Sequence, residues 1–283
     1  MRNKLFVTDL DGTLLNSQMR LSDYTVKTLN ELIDRGLSIT FSTSRSFYTT
    51  SMMLKDVKFC LPCIAYNGVY VIKADTGEVI RKNLLEGVVF DDVRNIAKCF
   101  NMKPYIFGKT SDQEEKLIYE EPANSAQIQF LQERIKRGDK RLQRADKRNY
   151  NLEELINLNF LYPLEQIRQL EEVLRSKYGK QVSIKVIKDI YNGGFYTLEV
   201  SNIEANKGKM LDYVGSLLNV DMQDITVFGD QANDKEMFDL AGTKIAVSNA
   251  SEELKALADT VVESNDCDGV ARYLRKVYKT VEV

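Results

Sequence analysis

Short, wholly apolar runs alternate with longer stretches of helical period along the first eighty residues. Residues 5–7 form such a run and predict a buried strand. It leads directly into Asp9-Leu10-Asp11-Gly12-Thr13. Ser22 stands at an N-cap position ahead of an apolar stripe, Val26, Leu29, Leu32 and Ile33, which Gly36 ends. Residues 37–41 predict a second buried strand closing on Ser42-Thr43-Ser44-Arg45, with a helix after it. A third strand reaches Tyr66 and the turn Asn67-Gly68. Residues 69–72 and 79–80, around Asp75-Thr76-Gly77, then read as a β-hairpin.

The character changes between about residues 90 and 200, which are more charged and less regular. Helical period marks residues 91–100, 126–136 and 164–177; strand patterns mark 182–187 and 196–200. Alternation resumes after residue 203, with helices over 210–218, 235–240 and 252–257, strands over 224–228, 244–247 and 260–262, and a last helix from Gly269. Repeated βα units with short connections imply an α/β fold, a doubly wound, mostly parallel Rossmann-like sheet, interrupted by an inserted mixed α/β domain.

Composition narrows the chemistry. The 283 residues are 43% hydrophobic and 28% charged, with net charge -2 and pI near 5.6. That balance argues against a nucleic-acid partner held by phosphate neutralisation. No run approaches the roughly 20 apolar residues that span a bilayer. The run after Arg2 and Lys4 is cut short by Asp9, unlike a signal peptide, so a cytoplasmic location is expected. The chain has no histidine. Serine triads, Cys-His proteases and zincins are thereby excluded, and acid-base work falls to Asp, Glu, Lys, Tyr or Cys.

Two conspicuous motifs carry bland readings. Cys60-Leu61-Pro62-Cys63 is a CxxC, but a strand pattern, not a helix, follows it, so a loop thiol and a core thiol are expected. The basic run Arg134, Lys136, Arg137, Lys140, Arg141, Arg144, Lys147 and Arg148 is interrupted by Asp139 and Asp146. It reads as a solvated surface, with an electrostatic funnel for an anion as the alternative. Tyr191-Asn192-Gly193-Gly194-Phe195 reads as a hairpin turn or as a loop that dips toward a site.

Asp9 and Asp11 sit where open α/β sheets bind ligands, at the carboxyl end of a strand. Strand alternation would point both the same way, and two such charges ask for a metal, a proton or both. Two solvated loop acids are the alternative. Three other strand or helix ends carry groups that fit the pair: Thr43; Lys207 in Asn206-Lys207-Gly208; and Asp230 with Asp234 in Gly229-Asp230-Gln231-Ala232-Asn233-Asp234. Each alone reads as a cap or a surface charge.

As a set, in this order and spacing, these residues resemble the four motifs of the haloacid dehalogenase superfamily, in its Cof-type phosphatase branch. Tyr66-Asn67-Gly68 and Cys267-Asp268-Gly269-Val270 agree as well. Ser44 stands where the branch usually has Gly, and Gln231 where Ser is common. The resemblance covers residues 1–84 and 200–283 as a catalytic core and places 85–199 as an inserted α/β cap. It implies a Mg²⁺-dependent phosphatase acting on a small phosphorylated metabolite, such as a sugar phosphate or a phosphorylated cofactor. It makes Asp9 the nucleophile and Asp11 the general acid and base, with a proton held there by repulsion from Asp9. Mg²⁺ would be held by Asp9, the Asp11 carbonyl and Asp230, with Asp234 supporting the metal site and Lys207. Thr43 and Lys207 would hold the phosphoryl oxygens, and Ser44, Arg45, Asn67 and Asn233 would lie toward substrate. A phosphomutase, or a phosphate-binding regulator without turnover, shares the same motifs. Neither a nucleic-acid nor a membrane partner is expected, and the oligomeric state is not encoded legibly.

Overall fold

The computed structural model describes residues 4–145, 151–189 and 192–280. It divides into two compact units, residues 1–82 with 205–283, and residues 83–204. The joints lie at 82/83 and 204/205, where the sequence reading put 84/85 and 199/200. Just inside the second unit, Asn202 Nδ2 donates to Leu84 O at 2.7 Å.

The first unit opens with β1 (Leu5–Thr8), α1 (Asp23–Asp34) and β2 (Ile39–Phe41), then α2 (Phe47–Met53). Its chain continues as a three-stranded antiparallel sheet, β3 (Pro62–Ala65), β4 (Tyr70–Lys73) and β5 (Val79–Lys82). Ser22 caps α1 as expected, accepting a hydrogen bond from Thr25 N. The buried face of α1 is Thr25, Thr28, Leu29 and Leu32, rotated from the apolar stripe, so Val26 and Ile33 are only half-buried. The cause is polar: Thr25 Oγ1 donates to Asp268 Oδ1 at 2.8 Å, which makes a threonine face inward.

The second unit holds α3 (Gly87–Cys99), β6 (Tyr105–Lys109), β7 (Glu115–Tyr119), α4 (Ser125–Lys136), β8 (Leu142–Arg144), β9 (Glu154–Pro163), α5 (Leu164–Tyr178), β10 (Val182–Lys188) and β11 (Phe195–Asn202). Its six strands run in the order β10-β11-β9-β6-β7-β8, antiparallel except for the β7–β8 pair. One face packs Leu158, Phe160, Leu198 and Val200 against Val93 of α3 and Ile167, Leu170 and Leu174 of α5. The turn at Asn192 joins β10 to β11, with Phe195 N donating to Asn192 O. Tyr191 of that turn lies outside the described residues.

The basic run falls in this unit, and its four described arginines are ion-paired. Asp139 bridges Arg134 and Arg141, Arg137 meets Glu133, and Arg144 meets Glu121. This supports the surface reading over the funnel; Lys147 and Arg148 lie outside the described residues. Burial would raise the Asp139 carboxyl, but the hydrogen bonds and charge of Arg141, helped by Arg134, outweigh it and hold it well below the usual carboxylate range. A carboxyl depressed in the folded state stabilises above the ordinary carboxylate range, and that contribution is lost as pH falls through the lower, folded value. Asp139→Asn is therefore expected to cost about 3 kcal/mol at pH 7. In urea titrations its gap from the parent protein should close below about pH 4. A gap that stays constant with pH would contradict the pairing.

The chain returns to the first unit as α6 (Lys207–Leu218), β12 (Ile225–Gly229), α7 (Lys235–Phe238), β13 (Thr243–Val247), α8 (Glu252–Lys255), β14 (Thr260–Val262) and α9 (Gly269–Thr280). The sheet order is β14-β13-β12-β1-β2, all parallel. Leu5, Val7 and Val227 pack one face against Met210, Leu211 and Val214 of α6. On the other face Phe6 and Phe228 stack, and Tyr273 of α9 meets Phe228 edge-on at 5.6 Å. Helices thus cover both faces, the doubly wound arrangement the alternation predicts. Cys63 is buried in β3 and its thiol is pushed up to about 12 by burial, which suits the core role and not a redox one. Among the described residues no helix is long and apolar enough to cross a membrane.

Candidate active site

β1 lies inside the sheet between β2 and the middle strand, β12: the chain moves from β1 to β2 on one side, and β12 leads to β13 and β14 on the other. A crevice opens at the carboxyl ends of strands where winding reverses direction. Asp9, Thr43 and Asp230 follow three neighbouring strand ends, and their backbones are tied there: Asp9 N donates to Phe228 O, and Ser42 N to Thr8 O, both at 2.9 Å.

Lys207, at the first turn of α6, is wholly buried. Its Nζ donates to Asp9 Oδ1 at 2.6 Å and to Asp234 Oδ1 at 2.8 Å. Asp234 is fully engaged: its other oxygen accepts from the backbone N–H groups of Asp230 and Gln231 at 3.0 and 3.2 Å. Gln231 N-caps the 3-10 turn Ala232–Asp234 in a reciprocal capping box with Asp234. Asp230 accepts from Thr13 Oγ1 at 3.1 Å and from Gln231 Nε2 at 3.3 Å. Gly12, at φ +76°, is required here, because a Cβ on it would stand 2.3 Å from Asp230 Oδ2.

The cluster is short of positive charge. Asp9, Asp230 and Asp234 each offer an oxygen within 4.8 Å of the others, with one ammonium among them. Burial first, then Asp234, pushes the Asp9 carboxyl well up; Lys207 opposes this and Asp230 adds to it. Burial and then Asp234 push Asp230 up to about 7, against the hydrogen bonds of Thr13 and Gln231. Burial would lower Lys207, but Asp234 and Asp9 outweigh it and keep it charged. A crowded, all-oxygen, electron-rich set is what a hard divalent cation such as Mg²⁺ takes up, and such a charge would relieve the repulsion. The residues fit that ion. With both Asp234 oxygens occupied by Lys207 and backbone donors, Asp9 and Asp230 are the better ligands and Asp234 the support.

Asp11 is elsewhere. β1 ends at Thr8, so alternation does not extend to the acids, and Asp9 and Asp11 take different partners. Arg45 grips Asp11 in a fork, Nε to Oδ2 and Nη2 to Oδ1, each 2.6 Å. Arg45 is thus the charged group in direct contact with Asp11. Thr43 is buried; its hydroxyl accepts from Arg45 N at 3.1 Å, and its carbonyl accepts from Asn67 N at 2.9 Å. The loop at Tyr66–Gly68 also abuts the lysine's segment: a Cβ on Gly68, at φ +102°, would lie 2.6 Å from Asn206 N. Ser44 is exposed and Asn233 half-buried on the 3-10 turn. Among the described residues, no hydrogen bond joins the side chains of Thr43, Ser44 or Asn233 to the acid cluster. Sequence reasoning assigned no role to Thr13 or Gln231, which fix Asp230, and missed the Arg45–Asp11 fork. Thr13 follows the acid motif directly, and that adjacency was the available signal.

The sequence matches the haloacid dehalogenase-like hydrolase family over residues 6–274. A 5-amino-6-(5-phospho-D-ribitylamino)uracil phosphatase of Bacillus subtilis is 28% identical over 291 aligned positions, spanning 96% of each chain. An HMP-PP phosphatase of Serratia proteamaculans is 25% identical, spanning 96% of this chain and 94% of its own. The crystal structure of a Thermotoga maritima protein superposes with a TM-score of 0.76 at 27% identity, over 98% of this chain and 97% of that one. A haloacid dehalogenase-like hydrolase from Bacteroides thetaiotaomicron shares the fold, with a TM-score of 0.79 at 22% identity over 98% of this chain and 100% of its own.

Proposed function

Because this chain belongs to the haloacid dehalogenase-like hydrolases, we propose that it is a Mg²⁺-dependent phosphatase that works through an aspartyl-phosphate on Asp9. Residues 1–82 with 205–283 are the catalytic unit in this reading, and 83–204 the unit that selects the ester. The observation that carries the reading is the buried Lys207 bridging Asp9 and Asp234, with Asp230 beside them. A nucleophilic carboxylate must be positioned and have its charge offset before an anionic phosphate can approach it.

Asp9 attacks phosphorus, forming the Asp9 Oδ–P bond as the ester P–O bond breaks. The leaving oxygen takes a proton from Asp11. Water then attacks the same phosphorus, gives its proton to Asp11, and the Asp9–phosphate bond breaks to release inorganic phosphate. Arg45 holds Asp11 in place by its two-pronged contact. Lys207 and Thr43 offer donors to the phosphoryl oxygens, where charge is concentrated. Asp9, the Asp11 carbonyl and Asp230 would hold Mg²⁺, which supplies charge neutralisation at the phosphoryl group. Thr13, Gln231 and Asp234 orient these groups without touching substrate.

The relatives named for ribitylaminouracil and HMP-PP phosphatase activity favour a small phosphorylated metabolite as substrate. Phosphate release from para-nitrophenyl phosphate and from a panel of sugar phosphates, with and without EDTA, tests the reading. Release that needs Mg²⁺ is expected. Release indifferent to EDTA would remove the metal from the mechanism. Phosphate shuttling between hydroxyls of one sugar with little release would favour a mutase, and inactivity on every ester a binding role.

A further inference from the structure

Gly12 and Asp230 meet without slack, since a Cβ on Gly12 would stand 2.3 Å from Asp230 Oδ2. Thr13 adds the hydrogen bond from its Oγ1 to Asp230 Oδ1. The register of β1 on β12, which brings the two loops together, ends at Thr8 and Phe228. Beyond that point a third segment, the loop that follows β13, holds both. Asn249 Nδ2 donates to Gly12 O at 2.7 Å. Ser251 N donates to Asp230 O at 2.9 Å. One side of the Gly12–Asp230 contact is thus fastened by Asn249, and the other by Ser251 of the same loop.

Asn249 is steadied in turn by the segment that follows β14. Its Oδ1 accepts from Asn265 N at 3.0 Å. Asn265 is buried, and its Nδ2 donates to Leu15 O at 3.0 Å. Its neighbour Asp266 accepts from Ser17 N at 2.8 Å. The loop after β1 is therefore tied down at Gly12, Leu15 and Ser17 by Asn249, Asn265 and Asp266. Asn249 differs from Asn265 in being exposed. Water could satisfy either end of an exposed amide at little cost, so the stability of the fold does not explain a bridge at this position. What the bridge fixes is the carbonyl between Gly12 and Thr13, the two residues that touch Asp230.

We infer that Asn249 is a positioning residue of the metal site. By pinning the Gly12–Thr13 peptide beside Asp230, it sets the placement of Asp230 relative to Asp9 and the Asp11 carbonyl. The inference rests on the Mg²⁺ reading proposed above. Mg²⁺ tolerates little error in the placement of its oxygen ligands. Side chains that only orient such ligands are worth about tenfold or more in affinity for the ion. Asn249 acts on the ligands through Gly12 and Thr13.

The test takes the full chain, stripped of metal with EDTA and dialysed, and titrates it calorimetrically with magnesium chloride. Asn249→Ala should weaken Mg²⁺ binding about tenfold. Because the side chain is exposed, the melting temperature of the metal-free protein should move by less than about 2 °C. The Mg²⁺ concentration that gives half-maximal phosphate release from para-nitrophenyl phosphate should rise by the same factor. KM for that ester at saturating Mg²⁺ should stay within about twofold. Ser248→Ala, at the exposed residue next to it, should leave the Mg²⁺ affinity unchanged. An Asn249→Ala protein that binds Mg²⁺ within about twofold of the parent would overturn the inference. So would an equal loss in Ser248→Ala, or a metal-free melting temperature lowered by more than about 5 °C, which would make the bridge a prop of the fold. A parent protein that takes up no Mg²⁺ would sink the metal assignment and this inference together, whereas an unaffected variant beside a parent that binds the ion sinks the inference alone.

Discussion

Asp9→Asn is expected to abolish phosphate release, by at least about 10⁴-fold in kcat, while the protein stays folded. The amide cannot form the phospho-enzyme, so no acid-stable phosphate should remain on the chain after a burst with labelled substrate. The stability expectation follows from the crowding of the site. Asp9 lies among Asp230 and Asp234 with a single lysine, and burial already works against its charge. Replacing it by a neutral group of the same shape removes a repulsion together with one hydrogen bond, so the unfolding free energy should move by no more than about 1 kcal/mol. Turnover that survives, or a phosphoryl group trapped on Asp11, would overturn the assignment of the nucleophile.

Lys207→Met has the opposite profile: it should damage both activity and fold. Lys207 Nζ is the buried donor shared by Asp9 and Asp234. Without it two carboxylates remain buried together, at a cost of about 3–5 kcal/mol. Heating should show this as a fall of roughly 10 °C in the transition of the unit that carries the site. Added Mg²⁺ should restore part of the loss, since an ion bound only by the folded state stabilises it. Sodium at equal ionic strength should not. A variant that keeps its melting temperature would mean that the lysine does not neutralise the cluster, and the carriage of charge in the mechanism would need another source.

Much of the first unit was legible in the residues. β1 and β12 are short, fully buried and nearly all apolar, so their pattern survives without knowledge of partners. Ser22 marks a helix start by the hydrogen bond its side chain then makes, whereas the first turn of α6, capped by Asn206, lies ahead of the apolar period that marked that helix. The sheet of the second unit was half hidden. β9 alternates core residues with Asn157 and Asn159, and β6 carries Gly108 and Lys109, so neither presents an apolar run. The acids themselves were visible, but their partners were not. Arg45 reaches Asp11 across 34 positions and Thr13 reaches Asp230 across 217, and no local period encodes contacts of that range. Strand alternation does not bear on the two acids, because β1 ends at Thr8 and both Asp9 and Asp11 lie beyond it.

The place of β1 between β2 and β12 has a consequence for how the protein is made. Asp9 precedes the whole second unit, yet the strand that completes its surroundings, β12, begins at Ile225, and Lys207 comes shortly before it. Residues 83–204 form one contiguous stretch with a core of their own and need nothing that comes later. On the ribosome, β1 therefore waits with one edge unpaired while a whole unit is synthesised behind it. A chain broken off anywhere before β12 carries Asp9 without Asp230 or Asp234. The cluster of Asp9, Asp230 and Asp234 can therefore assemble only after the second unit has been made in full.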